Sequence, residues 1–184
     1  MSNQYSDYLL HYGISGMKWG IRKARKSATN SATLFISGSS KTQDKASPYY
    51  QRKLPKPVRQ VIKQSIKAKD TIIVGDAPGI DRQAQDYLKK KRYQNVEVYG
   101  PGYQVRYSAN AKWKTHPIND TKHKPMSPEW LAKKDKAMTD RATKGLAVIL
   151  NEGSSATRNN IKRMHDQGKY SVVYEIYPKT KRHR

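Results

Sequence analysis

Short apolar runs alternate along the chain with amphipathic stripes, a pattern that predicts strands and helices in turn. Helical spacing is clear at Val58, Ile62 and Ile66. Five runs have the length and β-branched content of buried strands: 32–36, 71–74, 96–99, 145–150 and 170–176. Strands that alternate with helices predict an α/β fold, here a Rossmann-like three-layer domain with a mostly parallel sheet of about five strands.

The stretch 71–88 predicts a strand, a tight loop and a helix. The β-branched run ends at Gly75, Asp76, Ala77, Pro78 and Gly79, and a helical stripe follows, with Asp81 expected to cap the helix. In a parallel sheet this loop lies at the carboxyl end of its strand, where free helix N–H groups attract an anion. The alternative is that Gly and Pro here only turn the chain.

Two more predicted strands run into small polar residues. The first is followed by Ser37, Gly38, Ser39 and Ser40, and the run 145–150 is followed by Gly153, Ser154, Ser155, Thr157 and Arg158. No lysine follows Gly38 in Walker spacing, so the first of these loops is not a P-loop. We expect the three loops to converge on one crevice that binds a phosphate-bearing ligand.

Composition adds a strong charge signal. The 184 residues carry a formal net charge of +23, which predicts salt-dependent attraction to nucleic acid or another polyanion. The alternative is that the basic faces only keep the protein solvated. The chain has no cysteine, and its five histidines lack ligand spacing, so no metal is expected. No apolar run could span a bilayer and no signal peptide is recognisable, which predicts an intracellular protein without a membrane partner.

Residues 101–126 form a predicted irregular insertion, rich in basic and aromatic side chains. Tyr103, Tyr107 and Trp113 stand among lysines and Arg106, a mixture that can stack a base and hold its phosphates. An ordinary solvated loop is the alternative. The insertion ends at Ser127, the predicted N-cap of a helix that runs to about residue 143.

The first 31 residues are predicted to be a short docking peptide on a flexible linker. Residues 8–23 contain Gly16, Met17, Lys18, Trp19 and Gly20. This segment resembles the His-Gly-Ile-x-Gly-Met-Lys-Trp-Gly-Val-Arg peptide of proteins encoded by tailed phages of Gram-positive bacteria, with departures at Tyr12 and Ile21. The resemblance implies a phage origin, location in the host cytoplasm or the virion, and docking on a virion protein.

Residues 32–177, which precede a basic tail at 178–184, resemble the SLOG superfamily of Rossmann-like nucleotide-binding domains. The likeness lies in Gly75 to Asp81 and in Gly153 to Arg158. It implies a nucleotide or ADP-ribose-type ligand, with phosphates or ribose on Gly153 to Thr157 and on Ser37 to Ser40. In the phosphoribohydrolases of this superfamily a glutamate follows the glycine-rich loop, and here that position is Asn160. The candidate catalytic carboxylates that remain are Asp76 and Glu152.

Three functions compete at this point. The first is a phage-encoded protein that captures a nucleotide signal of host defence, such as an ADP-ribose relative or a cyclic nucleotide. The second is a nucleotide N-glycosidase that uses Asp76 or Glu152 as acid or base. The third is a DNA-associated or virion-packaged protein, held through its basic surface. A second copy of the chain is a further expected partner.

Overall fold

The computed structural model describes residues 9–10, 31–151 and 153–178, and its centre is one seven-stranded sheet. The strands are β1 (Leu9–Leu10), β2 (Thr33–Gly38), β3 (Thr71–Gly75), β4 (Val96–Pro101), β5 (Lys114–Ile118), β6 (Lys144–Leu150) and β7 (Tyr170–Ile176). The helices are α1 (Lys56–Lys67), α2 (Ile80–Lys90), α3 (Pro128–Arg141) and α4 (Ser155–Asp166), with a short 3-10 helix at Ser40–Gln43.

The sheet order is β1-β7-β6-β2-β3-β4-β5, and strands β2 to β7 are all parallel. Strand β1 alone is antiparallel, pairing Leu9 with Tyr174 and Leu10 with Val173. From β2 the chain first builds outward through β3, β4 and β5, and then returns to place β6 on the other side of β2. The Rossmann-like α/β prediction is confirmed, with six parallel strands rather than about five.

The additional strand, β5, lies inside the segment predicted to be irregular. It pairs with β4 from Glu97 opposite Lys114 to Pro101 opposite Ile118. Its side chains are mostly exposed, and it includes Pro117, a residue found in sheets mainly on edge strands. Because an edge strand needs no apolar alternation, its residues carry no strand signal. The paired segment also extends β4 through Gly100 and Pro101, where the sequence predicts its end.

Two helices cover each face of the sheet. Alternate strand residues point to opposite faces, so Leu34 and Ile36 pack with α1 and α2, whereas Phe35 packs with α3 and α4. The α1–α2 side holds the larger core cluster, which includes Val58, Ile62, Ile72, Val74, Ile80, Ala84, Leu88, Leu146 and Val148. The opposite side holds Ile73, Met138 and Met164. The domain is therefore a three-layer α/β/α sandwich.

The helix starts follow the predicted chemistry at α3 but not at α2. Ser127 caps α3, and its hydroxyl accepts a hydrogen bond from the Trp130 N–H at 3.2 Å, as predicted. Asp81 is not the cap of α2. Gly79 holds that position at φ +86°, and Asp81 lies in the first turn, where it accepts a hydrogen bond from the Ala77 backbone. Only glycine fits the cap, because a Cβ there would lie 2.2 Å from the Ser39 carbonyl oxygen.

Candidate functional site at the carboxyl edge of the sheet

The candidate site is the edge where the parallel strands end, and it is centred on the neighbours β2 and β6. The direction of chain progression reverses between these two strands, so the connections after them leave toward opposite faces. In open α/β sheets such a reversal leaves a crevice beyond the strand ends, and ligands bind there. The loops predicted from sequence follow β2, β3 and β6 at this edge.

The structure brings the first two loops into direct contact. A Cβ on Gly38 would lie 2.6 Å from the Ile80 side chain, and one on Gly79 would lie 2.5 Å from the Ser40 Cα. Ser39 caps the 3-10 helix by accepting a hydrogen bond from the Lys41 N–H at 3.2 Å. Ser40 is exposed, whereas Ser37 is buried beneath α4 near Asn160. These contacts are backbone packing between two loops, with no gap left between them.

The N-terminus of α2 is packed against the loop after β2, which uses part of its hydrogen-bonding capacity. The Gly79 N–H donates to Gln43 Oε1 at 3.0 Å, and the Ile80 N–H donates to the Ser39 carbonyl at 3.2 Å. The Ala77 backbone is bonded to the Asp81 carboxyl group. The N–H groups of Asp81 and Arg82 have no acceptor among the described residues, but Gly79 is packed so closely against Ser39 and Ser40 that the loop after β3 leaves little room for a ligand.

The N-terminus of α4, in contrast, is open. Gly153 adopts φ +91°, a Cβ at this position would have no neighbouring atom within 4 Å, and the adjacent Ser154 is left-handed at φ +62°. Ser155 and Ala156 are exposed, and Thr157 is buried at the base of the first turn. Within 153–178 and the rest of the described chain, no acceptor is bound to the N–H groups of Ser155, Ala156 or Thr157. Free donors beside two successive left-handed residues form the kind of concavity that binds anions.

Arg158 supports this loop from within. Its Nε donates to the Gly153 carbonyl at 3.1 Å, and its Nη2 donates to the Leu150 carbonyl at 3.1 Å. The Ser154 hydroxyl accepts from the Leu150 N–H at 3.0 Å. Arg158 therefore fixes the loop conformation, and its positive charge lies beside the open helix end.

The chain itself fills the α1–α2 side of the crevice. Tyr49, from the connection between β2 and α1, is buried, and its hydroxyl donates to Asn151 Oδ1 at 2.9 Å. Gln83 of α2 holds the same connection by donating to the Gln51 carbonyl at 2.6 Å. Across the described ranges, no hydrogen bond joins 153–158 to 37–40 or to 75–81. Two of the three predicted loops thus form one unit, and no hydrogen bond within the described ranges joins the third to them directly.

Asp76, a candidate catalytic carboxylate, is fully engaged by Arg106. The Arg106 N–H and Nε each donate to Oδ2 at 2.9 Å, and Nη2 donates to Oδ1 at 2.5 Å. The Asp76 side chain is completely buried, and the pairing raises the pKa of Arg106 further above its ordinary value. This carboxylate therefore positions the segment after β4, and its complete burial keeps it from contact with a substrate at the surface.

Asp81 is another buried carboxyl group at this edge, and Lys134 of α3 approaches it from the other face of the sheet. A Cβ on Gly75 would lie 2.2 Å from Asp81 Oδ2 and 3.1 Å from Lys134 Nζ, so this glycine leaves the space in which α2 and α3 approach each other. Lys134 is buried and pairs with Asp135 at 2.9 Å. Burial raises the pKa of Asp81 to about 7, against the opposing attraction of Lys134. The carboxyl group can therefore hold or release a proton near neutral pH, but it is shielded from solvent.

Sequence reasoning missed several residues of this region. Gln85 is fully buried; its Nε2 donates to the Gly75 carbonyl at 2.8 Å, and its Oε1 accepts from the Ala109 N–H at 2.9 Å. The usable signal was that Asp81 and Gln85 are polar residues four apart, beside the apolar stripe of α2. Lys134 and Asp135 carried no signal of their own, because charged neighbours in a helix normally face solvent.

Most of the aromatic residues of the predicted base-stacking insertion are packed. Trp113 is buried, and its Nε1 donates to the Tyr93 carbonyl at 2.9 Å. The Arg82 guanidinium lies over the Tyr107 ring, 4.3 Å from the ring centre, and the Tyr107 hydroxyl donates to Asp86 Oδ1. Tyr103 is the exception, at 82 % exposure. Stacking on a base is thus open to Tyr103 and closed to Trp113.

Two groups of predicted residues lie outside the described part of the chain: Glu152, and the docking peptide with Gly16, Met17, Lys18, Trp19 and Gly20. Among the described residues, no cluster of three or more His, Cys, Asp or Glu side chains could hold a metal ion. Likewise, no helix within 31–151 or 153–178 combines the length and apolarity needed to cross a membrane.

The comparison with known proteins bears on the N-terminal segment. Residues 2–26 match a family of unknown function, DUF7211. No curated protein matches the sequence. The match covers the predicted docking peptide and ends before the α/β domain begins, so the function of the domain has to be argued from its own geometry.

Proposed function

We propose that the protein binds a nucleotide or ADP-ribose-type ligand at the carboxyl edge of the sheet, with a phosphate at the N-terminus of α4. The observation that carries this proposal is the contrast between two helix starts. Helix α2 packs Gly79 against the Ser39 backbone, and its Gly79 and Ile80 N–H groups are bound by Gln43 and Ser39. Helix α4 begins beside open space at Gly153, and Ser155, Ala156 and Thr157 have no protein acceptor among the described residues. The open helix start also follows β6, beside the chain reversal where Rossmann-like folds place phosphates.

The chemistry of the loop suits a phosphate. A helix N-terminus carries about half a positive elementary charge, and oriented N–H groups add directional bonds. Gly153 has no Cβ, so a ligand oxygen can approach the backbone closely. The exposed Ser155 hydroxyl and the Arg158 guanidinium, which is tied to the loop carbonyls, add a donor and a positive charge.

Binding without cleavage fits the residues better than hydrolysis does. Asn160 stands where the phosphoribohydrolases that the sequence resembles have a glutamate. Here Asn160 is buried, and its Oδ1 accepts a hydrogen bond from Arg163 at 2.8 Å. Asp76 is completely buried and accepts three hydrogen bonds from Arg106. With the phage-type peptide at the N-terminus, the proposed role is capture of a nucleotide signal of host defence.

The test is calorimetric titration of the full chain with NAD, ADP-ribose, cyclic ADP-ribose isomers and cyclic dinucleotides. Ser155→Asp places a carboxylate on the open helix end, where it competes with a ligand phosphate. We expect roughly tenfold or greater loss of affinity, with a small gain in thermal stability from the helix dipole. The matched control is Ser31→Asp, an exposed serine that precedes β2 at the opposite edge.

Absence of binding by every ligand in the set would overturn the proposal. Binding that Ser155→Asp leaves unchanged would overturn the placement of the phosphate at α4. Mass spectrometry of the same mixtures reports the reaction: intact ligand supports capture, and a released base would show hydrolysis instead.

A further inference from the structure

The C-terminal ends of α1 and α2 form one strongly basic surface at the amino edge of the sheet, opposite the candidate ligand site. We define this cationic surface by six exposed residues: Lys63, Lys67, Lys69, Lys89, Lys90 and Arg92. Both helices run antiparallel to the strands, so their last turns lie at the same edge. The surface is independent of the proposed nucleotide site.

Hydrogen bonds between the two post-helix turns join them into a single surface. Tyr93, after α2, donates through its hydroxyl to the Asp70 carbonyl, after α1. Asn95 Nδ2 donates to the Lys69 carbonyl at 3.3 Å. The two sets of cations are therefore held next to each other by the fold.

Among the described residues, no acidic side chain forms an ion pair with these six cations. Helix α1 contains no Asp or Glu, and the adjacent Asp70 is buried and pairs with Lys144 at 2.5 Å. The exposed Asp86 of α2 accepts a hydrogen bond from Tyr107. On the opposite face two lysines have an acidic partner four residues on, at Lys136–Asp140 and Lys162–Asp166. Unneutralised positive charge is thus concentrated on one side of the molecule.

The backbone at the two helix ends provides an independent observation. In a Schellman motif the residue after the cap is left-handed, and glycine is preferred there because other residues are strained. Helix α4 follows this rule with Gly168 at φ +66°. Helices α1 and α2 close with the same hydrogen-bond pattern, but carry Lys69 at φ +60° and Arg92 at φ +55°. The helix dipole explains cations within the last turn, but it does not explain strained cations in place of glycine beyond it.

We infer that the cationic surface docks the phosphate backbone of double-stranded nucleic acid, without reading its sequence. Closely spaced cations match the dense charge of a duplex, which carries one phosphate per about 1.7 Å of axis. The large exposed apolar residues of the described chain are Tyr103, Met126, Tyr170 and Tyr177, and none lies on α1, α2 or the turns after them. The two tyrosines of this region, Tyr87 and Tyr93, are half-buried, and Lys91 lies over the Tyr87 ring. The surface thus has no fully exposed aromatic platform of the kind that binds single strands and no exposed apolar anchor that enters a membrane.

The experiment measures fluorescence anisotropy of a labelled duplex of roughly 25 base pairs with the full chain, between about 50 and 200 mM salt. Lys63→Gln, Lys67→Gln, Lys89→Gln and Lys90→Gln are combined in one variant. We expect affinity to fall roughly tenfold or more and the slope of log affinity against log salt to decrease by about three to four. The control removes four exposed lysines elsewhere, at Lys122, Lys124, Lys136 and Lys162, and should retain most of the binding.

A second variant separates binding from folding. Lys69→Gly with Arg92→Gly relieves the left-handed strain, so we expect the melting temperature to rise by about 2–4 °C while duplex affinity falls. Equal losses in both lysine quadruple variants would overturn the inference, since binding would then follow net charge alone. Unchanged affinity in the glycine variant would also overturn it, as would tighter binding of single strands or of anionic vesicles than of the duplex.

Discussion

At the scale of single residues, two buried carboxyl groups five positions apart are stabilised in different ways. Asp76 receives three hydrogen bonds from Arg106. Asp81 receives one backbone hydrogen bond and lies near Lys134, and burial raises its pKa to about 7. Glycine is required at position 75, because a Cβ there would overlap the Asp81 carboxyl group. The end of β3 is thus a place where folding depends on protonation.

The raised pKa of Asp81 predicts that stability falls as pH rises from about 4 to about 7. In that window the folded state holds a proton that the unfolded state releases, so ionisation favours unfolding. In Asp81→Asn this dependence should be absent. Relative to the parent protein, the variant should change little near pH 4 and gain up to about 4 kcal/mol near pH 8.

Urea denaturation at several pH values tests this expectation, with Asp86→Asn as the control because Asp86 is an exposed aspartate on the same helix. A parallel pH dependence in the parent protein and in Asp81→Asn would contradict it.

At the scale of elements, the loops after β3 and β6 look alike in sequence but differ in packing. Gly79 and Gly153 both have positive φ values near 90°. A Cβ on Gly79 would enter the Ser39 backbone at 2.2 Å, whereas one on Gly153 would meet open space. The first glycine is required by both conformation and contact, and the second by conformation alone.

Gly79→Ala should therefore destabilise the protein clearly more than Gly153→Ala. The conformational strain shared by both variants costs about 1–3 kcal/mol. The collision with Ser39 adds to it only in Gly79→Ala, since backbone atoms cannot move aside as the tip of a side chain can. Free energies of unfolding from chemical denaturation provide the comparison, and equal losses would mean that the β2 and β3 loops are not packed as described.

The elements that could be predicted from sequence are those whose own residues carry the signal. Strands β2, β3, β4, β6 and β7 are apolar runs because both faces of a parallel strand are buried. Strand β5 could not be predicted, because its lysine, histidine and proline pair with β4 without entering the core.

The candidate site was predictable only where its own residues carry the signal. The glycine and serine loops are recognisable in the sequence, but which of their polar groups are already bonded within the protein depends on residues far along the chain. Gln43 and Ser39 fill the start of α2, and Arg106 reaches Asp76 from thirty positions along the chain. No local pattern records such contacts, so the sequence suggested three equal loops where the structure leaves one open.

At the scale of the whole molecule, charge is distributed unevenly between the two helical layers. The net charge is +23, and three aspartates of α3 and α4, Asp135, Asp140 and Asp166, pair with lysines of their own helices. Helix α1 has no such partner. Repulsion among like charges therefore opposes the compact state, chiefly on one side.

This imbalance predicts that sodium chloride stabilises the protein. Raising the ionic strength from about 0.1 to about 1 M shortens the screening length from about 10 to about 3 Å, which weakens repulsion between lysines more than it weakens the buried pairs. We expect the melting temperature to rise with salt in differential scanning fluorimetry. The variant lacking Lys63, Lys67, Lys89 and Lys90 should respond less, and a melting temperature that falls with salt would show that surface ion pairs dominate instead.

The pairing of β2 with β6 has a consequence for synthesis on the ribosome. The Thr33 N–H donates to Thr143 Oγ1 at 2.8 Å, a bond that spans 110 positions. The central strand β2 therefore cannot complete its pairing until β6 has been synthesised. Until that segment leaves the exit tunnel, the nascent chain leaves one edge of its middle strand with unpaired N–H and C=O groups, and such an edge promotes aggregation. Translation that stops before Lys144 would release a polypeptide with no route to the native state.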